Sequence, residues 1–239
     1  MAYGDLVWKT SRYYMSPLTV FFTRGRGYGL DRIPMQGGCV LAINHLEWID
    51  VPLVGGLSPR NLNYVAKVEA HRAPFLGWLI RKHGTLSVRR GESDRDAVRL
   101  MRQAVRDGRA LGLFVEGTRQ KETGVPGVAQ PGAAMVAIQE DVPVVPVAVY
   151  GTQFWKLGNF APCSVAVGEP FRFEGLPKGG KGYKEGSHEI ERRIRVLFDW
   201  LAEVHARGRP KGLVPPTAAP DAAAPAVPAA AEPVEDVAS

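Results

Sequence analysis

Only two of the 239 residues are cysteine. Cys39 and Cys163 both lie in apolar, strand-like runs, which excludes a disulfide framework and fits small buried thiols in a reducing compartment. No clustered His and Cys spacing suggests zinc, and no glycine fingerprint suggests a nucleotide, so neither a metal nor a cofactor is expected. An uninterrupted span of about 20 apolar residues is missing, which excludes an ordinary transmembrane helix. The N-terminus has no clean apolar core followed by a small-residue cleavage site, which argues against a signal peptide. Acidic residues are the scarcer charge, at 24 against 30 Lys and Arg, for a net +6. Beyond Arg209 the tail holds Lys211 against Asp221, Glu232, Glu235 and Asp236, a net of −3, so residues 1–209 carry +9. No nucleic-acid reading motif accompanies that charge, and no nucleic-acid partner is expected. An anionic bilayer surface and phosphorylated substrates account for it.

The two ends of the chain differ from its middle. Residues 6–22 mix Leu6, Trp8, Tyr13, Tyr14, Leu18, Phe21 and Phe22 with Lys9 and Arg12, and Arg24 and Arg26 follow. That composition predicts an amphipathic helix lying in a membrane interface, within an N-terminal segment 1–29. From Arg209 to Ser239 the chain turns to Pro and Ala with no aromatics. Such a tail buries too little apolar surface to offset its ordering entropy, and disorder is expected over 209–239.

Between them, residues 30–208 read as one domain. Apolar runs at 39–43, 63–67, 85–89, 110–115, 142–150 and 163–168 alternate with helix-like stretches at 49–57, 74–83, 93–107 and 132–140. A loop rich in Gly and Lys over 178–186 precedes a last helix, 188–206. The alternation predicts an α/β fold: a mixed, largely parallel central sheet covered by helices. His188 and His205 flank the last helix and read as surface residues.

The chemistry concentrates after the first strand. His45 follows Cys39-Val-Leu-Ala-Ile43 and is answered by Asp50. A neutral imidazole takes a proton near pH 7, and a carboxylate on its other nitrogen stabilises the imidazolium that results. Five residues apart on an ideal helix, the two side chains would point about 140° apart. The turn at 44–48 must therefore break helical phase for them to meet. Three further blocks follow. Gly84-Thr-Leu-Ser-Val-Arg-Arg90 alternates and ends in two arginines. In Phe114-Val-Glu-Gly-Thr-Arg119, Gly117 permits close backbone approach and Arg119 offers a fork of donors suited to phosphate, although alone the block fits a salt-bridged turn. Val142 to Val149 is wholly apolar around Pro146, which suggests a bulge or an edge beside a site.

In their order and spacing, these four blocks resemble the glycerolipid acyltransferase family typified by bacterial 1-acylglycerol-3-phosphate acyltransferase. The resemblance covers roughly residues 30–205. It implies an O-acyltransferase in which His45 deprotonates the acceptor hydroxyl and Asp50 orients and charges the ring. The hydroxyl then attacks an acyl thioester of coenzyme A or acyl carrier protein, a co-substrate. No Ser or Cys nucleophile in the blocks is paired with a base, so no acyl-enzyme is expected. By the same resemblance Arg90 and Arg119 grip the acceptor's phosphate, Glu116, Gly117 and Thr118 belong to the acceptor-binding block, and Pro146 shapes the wall near the donor. Lys67, at the end of another strand, adds a point charge at the phosphate or is merely solvated. The expected acceptor is lysophosphatidic acid and the product phosphatidic acid, made at the cytoplasmic face of the cell membrane by a peripheral or monotopic enzyme. Acylation of another lyso-lipid, thioester hydrolysis, and an idle lipid-binding protein remain as alternatives.

Overall fold

A computed structural model of the chain describes residues 10, 13, 16–67, 85–88 and 94–217. At 66–67, 87–88 and 94–95 it describes the backbone alone. Residues 16–23 form the helix α1, and seven strands follow: β1 (Arg26–Tyr28), β2 (Cys39–Ile43), β3 (Leu62–Lys67), β4 (Leu86–Val88), β5 (Ala110–Phe114), β6 (Val144–Tyr150) and β7 (Ser164–Val167). Four further α-helices are described, α2 (Asp50–Leu57), α3 (Asp94–Arg106), α4 (Gly132–Glu140) and α5 (Gly180–Ala206), besides two short 3-10 turns at Leu30–Arg32 and Thr152–Phe154.

The strands form one sheet in the order β1-β7-β6-β2-β5-β3-β4, with every pair parallel except β6 and β7. The sheet is thus mixed and mostly parallel. β2, at its centre, is buried throughout, as an apolar run covered on both faces must be. Alternation divides its side chains. Cys39, Leu41 and Ile43 join Ile49, Leu53, Val145, Val147 and Val149 on the α2 side, while Val40 and Ala42 meet Ala133, Val136, Ile190 and Ile194 under α4 and α5. Parallel pairing brings the carboxyl ends of β2, β5, β3, β4 and β6 to one edge of the sheet. In open α/β sheets that edge holds the ligand.

Pro52 in the first turn of α2 leaves no orphan amide there, and Pro59 stops the helix from running on past Ser58. The last helix begins at Gly180, eight residues before the expected start, and takes in most of the glycine-rich stretch. Gly182 and Gly186 are demanded by packing. A Cβ at the first would lie 2.1 Å from the Pro177 carbonyl, and at the second 2.9 Å from Ala134 and 3.2 Å from the Phe173 ring. These glycines let α5 approach its neighbours and do not mark a loop.

Both terminal boundaries also shift. Arg26–Tyr28 is an edge strand paired with β7, so the sheet begins inside the segment 1–29 assigned to the membrane interface. At the other end, Arg209 is buried and its guanidinium donates to the carbonyls of Cys163 and Arg24. Tyr28 donates to the Pro210 carbonyl and Arg32 to that of Pro215. The packed chain therefore extends to Pro215, because proline carbonyls still accept hydrogen bonds from the side chains of Tyr28 and Arg32. Residues 218–239 and the predicted helix 74–83 lie outside the described residues.

His205 is not a surface residue. Its Nε2 lies 2.9 Å from Ser164 Oγ, its ring packs on Tyr150, and burial lowers its pKa to about 4.

Candidate active site

β2 ends at Ile43, and the buried Asn44 continues its pairing by side chain. Asn44 Oδ1 accepts from Val149 N at 2.7 Å and its Nδ2 donates to Val149 O at 3.1 Å. The next residue is His45, whose backbone is held at both ends by the chain that follows β5. His45 N donates to Glu116 Oε2 at 2.9 Å, and Gln120 N donates to His45 O at 2.8 Å.

Residues 46–49 form a non-helical turn, and α2 opens on Asp50. The carboxylate folds back on that turn. Asp50 Oδ2 accepts from Leu46 N at 2.7 Å and Glu47 N at 2.8 Å, and lies 2.9 Å from His45 Nδ1. The break in helical phase required by the spacing is present. Asp50 is fully buried, and its Oδ2 already serves two backbone amides, so it meets the imidazole as an acceptor. Nδ1 must then carry the proton, which leaves the lone pair on Nε2. The ring stacks on Phe114, centroids 4.1 Å apart, and Phe114 stacks in turn on Tyr64. Hydrogen bond and ring face together fix the imidazole plane. With 16 % of its side chain exposed, His45 is open to a reactant at the other nitrogen.

Glu116 is buried and accepts from both His45 N and Gly127 N. Burial is the dominant influence on it and pushes its pKa up to about 7. Its contacts tie the loop after β5 to the turn after β2, so it shapes the site from behind. Gly117 has φ 69°, in the left-handed region, and a Cβ there would meet only the Gln130 side chain, at 4.0 Å. Glycine is needed there for its backbone conformation and not, as the sequence suggested, for close approach. Gly117, Thr118 and Arg119 are exposed.

Glu47 was not singled out by sequence reasoning, yet it joins two blocks. Its carboxylate lies 3.1 Å from Lys121 Nζ and 3.9 Å from Arg119 Nη1. The structure thus brings His45, Asp50, Glu116, Arg119 and the additional Lys121 around one turn. Nothing local announces Glu47, since its partners lie over 70 residues downstream. Trp48 is 55 % exposed and meets Trp155 edge-on.

Pro146 is placed differently. It lies in β6, a central strand, where it pairs with Ala42. The bulge alternative holds and the edge alternative does not. Gly168 N donates to Pro146 O, while Val144 pairs with Phe171 through both of its backbone groups, so the opposing chain carries one extra residue between these points. The missing amide of proline faces that interruption. A Cβ on Gly168 would meet the proline ring at 2.8 Å and Leu197 of α5 at 3.1 Å. The ring therefore packs on the face opposite the Phe114 cluster. Arg90 lies outside the described residues, and of Lys67 only the backbone is described, at the carboxyl end of β3 on the edge that carries His45. Among the described residues no group of His, Cys, Asp and Glu side chains is arranged to hold a metal ion.

Comparison with known proteins bears on the family and the fold. A family model described as Acyltransferase matches residues 25–150, just over half of the chain. The 1-acyl-sn-glycerol-3-phosphate acyltransferase of Bacillus subtilis is 29% identical over 182 residues, 74% of this chain and 89% of that protein. The lyso-ornithine lipid O-acyltransferase of Pseudomonas aeruginosa is 46% identical over 77 residues, which span 31% of this chain and 29% of the relative. The crystal structure of the lysophosphatidic acid acyltransferase PlsC of Thermotoga maritima superposes with a TM-score of 0.62 over 83% of each chain, at 24% identity, and so speaks to the fold. The match spans His45, Asp50 and the loop that frames them, and the chain belongs to the acyltransferase family.

Proposed function

We propose that this protein transfers an acyl group from an acyl thioester, of coenzyme A or acyl carrier protein, to the free hydroxyl of a lysophosphatidic acid-type acceptor. The observation that carries the reading is the His45–Asp50 pair, with Nδ1 held at 2.9 Å by a buried carboxylate and Nε2 left for a reactant.

In this mechanism Nε2 takes the hydroxyl proton as the oxygen attacks the thioester carbonyl carbon. The tetrahedral intermediate collapses by breaking the carbon–sulfur bond, and the imidazolium returns its proton to the leaving thiolate. The Asp50 carboxylate stabilises the transient imidazolium from the first turn of α2, where two backbone amides hold it in place. Arg119 and Lys121 at the mouth supply cations for the acceptor's phosphate, with Arg90 as a further cation by resemblance.

The acceptor and product of such a reaction are lipids, and the surface near the site suits them. No described helix is long and apolar enough to cross a membrane. Leu18, Phe21, Trp48, Phe154 and Leu157 are all more than half exposed, and Phe21 and Phe22 pack against Phe160. These side chains support peripheral contact with the membrane surface.

The test is purified protein with acyl-CoA and a panel of acceptors, read by thiol release and by product mass. Lysophosphatidic acid should be converted to phosphatidic acid, and His45→Ala should abolish the conversion. Thiol release that ignores the acceptor would establish a hydrolase in its place. The 46% identity to a lyso-ornithine lipid O-acyltransferase over one segment favours a second acceptor class, so lyso-ornithine lipid belongs in the same panel.

A further inference from the structure

Three charged side chains meet at the mouth of the site, and one has the opposite sign from the other two. Glu47 Oε1 lies 3.1 Å from Lys121 Nζ, and its Oε2 lies 3.9 Å from Arg119 Nη1. The carboxylate is the innermost, with 21% of its side chain exposed against 44% for Arg119 and 50% for Lys121. Its position is set by the catalytic turn itself. Glu47 N donates to Asp50 Oδ2, two residues after the base, so the side chain projects from the backbone that holds the imidazole. The cations come from the loop that Gln120 N fastens to His45 O.

A mouth built only to grip a phosphate would gain nothing from this carboxylate. A phosphate monoester must displace Glu47 from both cations and then lie beside its negative charge. A headgroup that carries an anion and an ammonium a few atoms apart faces no such conflict. Its anion takes Arg119 and Lys121 while its ammonium replaces them on Glu47.

We infer that Glu47 is a specificity-determining residue, the acidic member of a two-sign headgroup site that extends the acceptor range from phosphate monoesters to zwitterionic lyso-lipids. This rests on the acyl-transfer reading above and names the acceptor chemistry of that same site.

The experiment compares wild type and Glu47→Gln with one acyl-CoA and two acceptors of equal chain length, lysophosphatidic acid and lysophosphatidylethanolamine, each as a full KM and kcat determination. Glu47→Gln keeps the backbone amide that Asp50 uses and removes only the charge. The expected result is a KM that falls about two- to fivefold for the monoester and rises by a similar factor for the zwitterion, as befits half-exposed ion pairs. Their ratio then moves about tenfold. Lys121→Gln, from the other side of the pair, should raise KM for the monoester more than for the zwitterion. It serves as the second readout where Glu47→Gln fails to fold.

Equal changes for both acceptors in both variants would mean that Glu47 merely clamps the two loops together, and would overturn the inference. So would a zwitterion that wild type does not acylate at all. Failure of the underlying reading is separate, since it would show as turnover in His45→Ala equal to wild type for either acceptor.

Discussion

Replacing Asp50 by Asn isolates the charge of the carboxylate from its shape. Asp50 Oδ2 faces three donors, Leu46 N, Glu47 N and His45 Nδ1, whereas Oδ1 has no hydrogen-bond partner among the described residues. An asparagine must therefore keep its oxygen at the Oδ2 position, because the flipped amide would set its NH2 against two fixed backbone N–H groups. The tautomer of His45 is preserved, unlike in hydrolase triads, where the same replacement can reverse it. What is lost is the attraction between carboxylate and imidazolium. At a charge separation of about 4 Å and an effective dielectric constant of about 20, that is about 4 kcal/mol for a fully formed imidazolium. A transition state with partial proton transfer realises part of it, so kcat should fall about 10²- to 10³-fold. KM should change little, since Asp50 does not reach the acceptor. The assay is thiol release from acyl-CoA at saturating lysophosphatidic acid. Asp50→Ala is the contrasting variant. It strands two buried amides, each costing about 1–3 kcal/mol, and should lower Tm as well as kcat. If Asp50→Asn kept kcat within threefold of wild type, the assignment of Asp50 as charge partner of a base would be refuted.

Three further predictions concern stability and binding. Glu116 has a folded pKa of about 7 against an ordinary value of 4.5. The native state therefore binds the extra proton, and this group's contribution is full below the unfolded pKa and lost as pH rises to about 7. Urea midpoints of wild type should fall across that window by the equivalent of about 3 kcal/mol, and those of Glu116→Gln should fall less; parallel profiles would contradict the assignment. Asn44→Ala should cost about 2–4 kcal/mol, because it leaves both backbone groups of Val149 unpaired in the buried centre of the sheet; thermal melts measure this, and a change in Tm under one degree would show the bonds to be dispensable. Arg119→Ala should raise KM for lysophosphatidic acid about tenfold, with kcat held within about twofold; a fall in kcat alone would move Arg119 from headgroup binding to the chemical step.

Much of the site was legible in the sequence because its parts are local. His45 and Asp50 stand five residues apart, and the demand that the turn between them break helical phase follows from their spacing alone. Strands 39–43 and 110–114 and helix 132–140 likewise follow from short apolar runs and helical periodicity. The misplacements have a common cause. Gly182 and Gly186 read as loop residues, because their reason for being glycine is the nearness of Pro177, Ala134 and Phe173. Arg26–Tyr28 carries no strand signal of its own and is a strand only because β7 offers it a parallel partner. His205 read as exposed because the hydroxyl that holds it belongs to Ser164, 41 residues away in strand β7.

The sequence by itself determined the family motifs: His45 with Asp50 five residues on, an arginine block and an α/β frame to carry them. Those are properties of residue type and short spacing, which local geometry constrains. Only the tertiary structure decided that Oδ2 of Asp50 faces the donors, that Glu116 fastens His45 from behind, that Pro146 packs on the opposite face at a bulge, and that Glu47 lies between Arg119 and Lys121. Each of these depends on which strand lies beside which. That order is set by burying both faces of β2 in a cooperative core, and no segment of the chain encodes it alone.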